Sequence, residues 1–170
     1  MNEAAAYGGI MTGGAIQNNT GHRGAAVNIY SDDRDKRAIF TLEDDGLITR
    51  NTGISANGNE AGGAVFVEDN AAFHMIGGTV SANKASKGGG ICIVDSALQR
   101  GIAEYGTEFL MDGGVISGNR AGTGGGIYSF SNGSFLRSGK IINNTATYSG
   151  GGLYSEGKAL IRGNGYMDFS

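Results

Sequence analysis

Five asparagines recur along the chain, each with an aliphatic residue three positions before it and another eight or nine after it. The sets are Ile16, Asn19 and Val27; Ile54, Asn57 and Val65; Val80, Asn83 and Ile91; Ile116, Asn119 and Ile127; and Ile141, Asn144 and Leu153, the last with one additional residue in the turn. The asparagines stand 38, 26, 36 and 25 residues apart. The short intervals give a period of about 25, and the long ones add inserted loops to it. A half-copy opens the chain with Asn2, Ala4, Gly8, Gly9 and Ile10. A third element precedes each unit from the second onward: Phe40-Thr41-Leu42, Phe73-His74-Met75, Phe109-Leu110-Met111 and Phe135-Leu136-Arg137. Leu160-Ile161-Arg162 begins a further copy.

Each unit therefore holds three short segments with period-two alternation, the signature of strands with one apolar face. Such a strand cannot bury that face alone, but stacked copies share a continuous core. Three strands per repeat of about 25 residues predict an all-β parallel β-helix, in which each strand pairs with its equivalent one coil away. Five to six coils at about 4.8 Å between paired strands make a rod roughly 25–30 Å long.

Composition agrees. Glycine supplies 33 of 170 residues, while proline and tryptophan are absent. Without proline or a strict three-residue period, this glycine content excludes collagen. The runs Gly62-Gly63, Gly88-Gly89-Gly90, Gly124-Gly125-Gly126 and Gly150-Gly151-Gly152 precede each third strand, where the coil must bend sharply. Asn19, Asn57, Asn83, Asn119 and Asn144 are expected to stack along a bend as an amide ladder that satisfies turn backbone groups.

The runs Gly13-Gly14-Ala15-Ile16, Gly62-Gly63-Ala64-Val65 and Gly78-Thr79-Val80-Ser81-Ala82-Asn83 resemble right-handed parallel β-helix surface proteins of bacteria. The likeness is to the Gly-Gly-Ala-aliphatic and Ser-Gly-Asn repeats of polymorphic outer-membrane proteins and autotransporter-like adhesins, and covers roughly residues 2 to 162. It implies a non-enzymatic adhesin passenger or structural stalk, at the cell surface, in the outer membrane or secreted. Such a protein displays loops to a host surface protein or glycan. The chain lacks that family's Phe-x-x-Asn tetrapeptide and is expected to be one segment, residues 1–170, of a longer solenoid with flanking coils.

Two features are candidate contact surfaces. Loop insertions are expected near 31–38, 43–53 and 95–108, and loops on a rigid scaffold are where function concentrates. The corner between the third strand and the next coil varies most, at Ser31–Arg37, Glu68–Ala72, Asp95–Glu108, Ser131–Ser134 and Glu156–Lys158; the Asp95–Glu108 loop, which carries Tyr105, is the largest. The second feature is the outward column of the third strands: Asn28, Phe66, Cys92, Tyr128 and Tyr154. Phe66, Tyr128 and Tyr154 on an exposed sheet would grip a sugar ring or a partner protein. The alternative is cross-strand packing that stabilises the sheet. Cys92 is expected to be a partly exposed free thiol.

Other chemistries find little footing. Polysaccharide lyases and hydrolases, the runner-up class for a β-helix, need carboxylates converging on one groove. Here Asp45 and Asp112 alone share a corner position, more than one coil apart. Glu43-Asp44-Asp45 reads as a solvated acidic turn, with a weak calcium site as the alternative. His22 and His74 occur singly, with no triad partner in an equivalent column. One cysteine excludes an internal disulfide framework or a cysteine zinc site. No cofactor, catalytic residue or metal ligand is expected. A net charge of −3 without a basic block argues against nucleic acid, and no apolar run is long enough for a transmembrane helix.

Overall fold

A computed structural model describes residues 7–33, 35–54, 62–99, 106–156, 159–161 and 167–168. Among them, three sheets run the length of the molecule. The first holds Tyr7–Met11, Ala38–Leu42, Ala71–Met75, Glu108–Met111, Gly133–Leu136 and Ala159–Ile161. The second holds Ala15–Gln17, Leu47–Thr49, Thr79–Ser81, Val115–Ser117, Gly139–Ile142 and Met167–Asp168. The third holds Val27–Ser31, Val65–Asp69, Ile91–Val94, Ile127–Phe130 and Leu153–Ser155. The chain passes through the three sheets in the same order five times and enters the first two a sixth time. Every pairing in them is parallel, between strands one circuit apart. The protein is all-β with parallel sheets, an arrangement compatible with a parallel β-helix.

Equivalent residues meet in register: Phe73 with Phe109, Val80 with Ile116, and Ile91 with Ile127. Alternation along each strand then separates inside from outside. Leu42, Met75, Met111 and Leu136 line the interior from the first sheet; Ile48, Val80, Ile116 and Ile141 from the second; Val65, Ile91 and Ile127 from the third. Phe40, Phe73 and Phe109 stack through the centre, with ring centroids 6.2 and 5.7 Å apart. Phe73 is fully buried between the other two rings. Phe73→Ala is expected to cost about 3–5 kcal/mol, since a cavity opens and two stacking contacts vanish. Chemical denaturation checks this, and a loss under about 1 kcal/mol would mean that the interior collapses around the gap.

The register corrects four expectations. Ile48, not Ile54, sits between Ile16 and Val80, and Ile54 is exposed. The inserted residues of that circuit follow Asn51 instead of preceding the second strand, so counting back from Val65 lands inside the insertion. The expected 43–53 loop accordingly contains strands Leu47–Thr49 and Thr52–Gly53. Next, Phe135 pairs with Leu110, and Ser134 takes the place below Phe109. The phenylalanine stack thus ends on a hydroxyl, which lies 2.7 Å from Ser129 Oγ in a buried pair. Third, Glu68–Ala72 is no loop: Asn70 alone separates two strands, after Asp69 at a φ of 57°. The Ser31–Arg37 and Asp95–Glu108 connections do leave the sheets, the latter through a helical turn at Ser96–Gln99.

The fourth correction is an additional side. Thr20, Thr52, Lys84, Arg120 and Thr145, each following the corner asparagine, pair in parallel across all five circuits. Three strands per unit left no place for this column, which is two to five residues long where it forms strands.

Candidate functional site

The corner between the second and third sheets is built on amides. Asn19, Asn51, Asn83, Asn119 and Asn144 stack in one column. The Oδ1 of Asn51 accepts from the backbone N–H of Asn19 at 3.0 Å and from its Nδ2 at 3.0 Å. The same two bonds join Asn51 to Asn83, Asn83 to Asn119 and Asn119 to Asn144, at 2.9–3.1 Å. The second Nδ2 proton reaches back to the carbonyl of Ile16, Ile48, Val80 or Ile116 in the preceding circuit. Asn51, Asn83 and Asn119 are buried, and their amide donors and acceptors are used within the column. Asn57 lies outside the described residues, and its expected rung belongs to Asn51.

A backbone rule accompanies the ladder. The residue before each asparagine has positive φ: Asn18 60°, Arg50 54°, Ala82 53°, Gly118 63° and Asn143 56°. This left-handed step turns the chain so that the asparagine points inward while both flanking residues face solvent.

The outward column of the third sheet forms as the sequence predicts in register but not in exposure. Asn28, Phe66, Cys92, Tyr128 and Tyr154 are successive partners. Yet Phe66, Cys92 and Tyr128 are 6%, 2% and 3% exposed, which removes them as a contact surface. The segment descending from the asparagine corner covers them. A Cβ on Gly62 would stand 1.9 Å from the Phe66 ring, so glycine there lets the chain lie against it. The Arg23 guanidinium sits 5.8 Å above the Phe66 ring and bonds Glu68 at 2.7 Å. Lys87 Nζ sits 4.8 Å above the Tyr128 ring, whose hydroxyl donates to Glu156 Oε1 at 2.8 Å. Tyr154 stacks on Tyr128 at 5.5 Å and is half-buried. The column is a second apolar core roofed by cations. Tyr105 lies outside the described residues.

Burial pushes the Cys92 thiol up to about 12, an effect that Lys87 only partly offsets. The native protein is therefore expected to resist a thiol reagent at pH 8 and to react fully once unfolded, because the thiolate is the reacting species. Stoichiometric labelling without denaturant would show that the roof over the column opens.

On the outer face of the first sheet the fold assembles a trio from three successive circuits. Glu108 pairs with Ala72, whose small side chain leaves room above it. Glu108 Oε1 lies 3.0 Å from His74 Nε2, and Oε2 lies 3.5 Å from Arg37 Nη2. Arg37 Nη2 also donates to the Gly106 carbonyl at 2.7 Å, and Arg37 Nε is buried without a partner among the described residues. By sequence alone His74 is solitary. The aligned Phe73 and Phe109 copies held the signal, since the residue after one and the residue before the other share a face of adjacent strands. With both oxygens engaged, Glu108 ties the Ser31–Ala38 connection to the long Asp95–Glu108 connection. The His74 hydrogen bond, opposed in part by burial and aided by Arg37, holds its carboxyl below the usual carboxylate range.

A depressed folded pKa contributes stability above the unfolded value, about 4.3 for glutamate, and loses it as pH falls through the folded value. Glu108→Gln should therefore lower the melting temperature at pH 7 and leave a smaller difference from wild type at pH 3. Melting curves across pH check this; a constant difference would assign the effect to packing.

Glu43, Asp44 and Asp45 form a tight turn, with Gly46 N–H donating to the Glu43 carbonyl at 3.0 Å and Asp44 at a φ of 46°. Among the described residues, no three His, Cys, Asp or Glu side chains are grouped to hold a metal ion, and no helix is long and apolar enough to cross a membrane. Comparison with protein-family models, curated proteins and solved structures yields no match.

Proposed function

We propose that this chain is a segment of a right-handed parallel β-helix that acts without catalysis, as a rigid rod displaying loops to binding partners from a cell surface or as a secreted protein. The observation that carries the reading is the division of labour within each circuit. The three long sheets and the ladder bind successive circuits in constant register, whereas length and chemistry vary at the connections around 31–37, 53–64 and 95–107. A scaffold that holds its pitch while its corners vary suits recognition by loops. The right hand follows from the about 98% preference for right-handed crossovers between parallel strands. The loops then meet a host surface protein or a glycan.

A glycan array run beside an assay for new reducing ends and unsaturated uronates tests the reading. Binding without turnover is expected, and shortening the 95–107 connection should weaken it while leaving the fold intact. Turnover would replace the reading with that of a carbohydrate-active β-helix.

A further inference from the structure

One corner of the circuits carries a row of cations. Among the described residues linking the second sheet to the third there are five Lys or Arg, namely Arg23, Arg50, Lys84, Lys87 and Arg120, and no Asp or Glu; Glu60 of the same link lies outside the described residues. Glu43, Asp44, Asp45 and Asp112 stand at the corner between the first and second sheets, whereas Asp32, Asp33 and Asp35 at the next corner are balanced by Arg34, Lys36 and Arg37 in the same segment. Arg23 and Lys87 roof the aromatic column. Arg50, Lys84 and Arg120 face solvent on consecutive circuits, and no carboxylate pairs with them among the described residues. Lys84 and Arg120 are direct partners in a parallel bridge, a juxtaposition of like charges that costs stability. Arg50 flanks the row one circuit earlier, its Nη2 donating to the neutral amide of Gln17 at 2.5 Å. One circuit past Arg120, the Tyr148 ring is 83% exposed and lies across Gly122, where a Cβ would stand 3.5 Å from it. Threonines at 20, 52 and 145 continue the same column.

We infer that this edge is a binding track for a linear acidic polysaccharide lying parallel to the stacking direction, with Arg50, Lys84 and Arg120 meeting successive anionic groups and Tyr148 stacking on a sugar ring. The inference rests on the display reading and names its ligand class. Lys84 and Arg120 stand one strand spacing apart, about 4.8 Å, with Arg50 two residues to the side of their column, where Thr52 holds the place; the row matches a narrow, singly charged chain. A nucleic-acid duplex, with phosphates spread across a groove about 12 Å wide, needs a broader basic face, and the acidic Glu43–Asp45 corner lies across the second sheet from this one. Carboxylate and sulfate would both satisfy the row, because lysine and arginine bind either.

The test measures binding of the full chain to length-matched fragments of hyaluronan (carboxylate only), heparin (sulfate and carboxylate), dextran (neutral) and duplex DNA at low and physiological salt. Either acidic glycan is expected to bind, dextran not, with affinity falling as salt rises. The double reversal K84E/R120E should weaken binding more than about tenfold with unchanged circular dichroism and a melting temperature close to wild type, since one like-charge pair replaces another. Tyr148→Ala should weaken it severalfold. Hyaluronan bound as well as heparin assigns the row to carboxylates, and heparin alone to sulfates; both support the track. No binding of either acidic fragment, tighter binding of duplex DNA, or full affinity in the double reversal would each overturn it. Loop-dependent binding that survives the reversal overturns the track alone, whereas depolymerisation of the bound fragment overturns the display reading and keeps the track.

Discussion

Asn83→Ala should lower the unfolding free energy by about 3–4 kcal/mol and the melting temperature by roughly 10 °C. Asn83 is 1% exposed, and its Oδ1 is the acceptor for the Asn51 backbone N–H at 2.9 Å and for Asn51 Nδ2 at 3.1 Å. Alanine leaves that N–H buried without an acceptor and removes the donor to the Ile48 carbonyl. A buried polar group stranded in this way costs about 1–3 kcal/mol, more than an ordinary hydrogen bond contributes. Asn83→Asp should fare no better at neutral pH. Its carboxylate still accepts from Asn51 but faces the Ile48 carbonyl and Asn119 Oδ1 without a proton to offer. The control is Asn19→Ala, at an exposed rung whose side chain donates one bond, expected to cost about 0.5–1 kcal/mol. Urea titrations of the three variants beside wild type decide the matter. Equal small losses at 83 and 19 would mean that water replaces the amide and the ladder does not hold the corner.

Gly63→Ala should abolish folding or cost more than about 4 kcal/mol, the range of gross backbone conflict. A Cβ there would stand 1.9 Å from the Gly88 carbonyl oxygen and 2.8 Å from that of Gly90. Both obstacles are backbone, so no rotamer relieves them. Shifting the chain would break the adjacent bonds from Ala64 N–H to Gly89 and from Val65 N–H to Gly90, at 3.3 and 3.0 Å. Gly118 offers the contrast. Its φ is 63°, but the nearest atom to an added Cβ is 3.9 Å away. Gly118→Ala should cost about 1–2 kcal/mol from the left-handed conformation alone, and Gly118→Asn less, since Asn18 and Asn143 adopt that conformation at equivalent corners. Expression, solubility and cooperative melting of the three variants give the readout. A soluble Gly63→Ala protein melting within a few degrees of wild type would show that circuits can separate at this corner.

The two glycines illustrate what a sequence of this kind reveals. Gly63 belongs to the glycine runs that mark the bends and Gly118 to the Ser117-Gly118-Asn119 copy, and spacing alone does not separate the glycine that a carbonyl presses against from the one that merely turns. The columns were legible wherever adjacent units kept the same spacing from first strand to asparagine to third strand, even across the 95–108 insertion. Phe73 with Phe109 and Asn83 with Asn119 followed from the repeat, as did the alignment of Phe66, Cys92, Tyr128 and Tyr154. Errors entered where an insertion changed the count: Asn57 and Ile54 share their offset from Val65 with the other units, yet Asn51 and Ile48 occupy the rungs. Phe135 misled for the same reason, because a shortened connection moves it one place and so to the opposite face of the strand.

Periodicity of apolar residues, asparagines and glycines therefore determined the strand class, the parallel stacking and most of the interior, because each requires equivalent residues at equal intervals along the chain. Burial of the aromatic column, the Arg37–Glu108–His74 trio and the gathering of cations at one corner were decided by tertiary structure. Each depends on side chains from different circuits, brought together by the lengths of the connections between them. Exposure, likewise, is a property of what lies above a residue: alternation says which way Phe66 points, and only the folded chain says that Arg23 and Gly62 cover it.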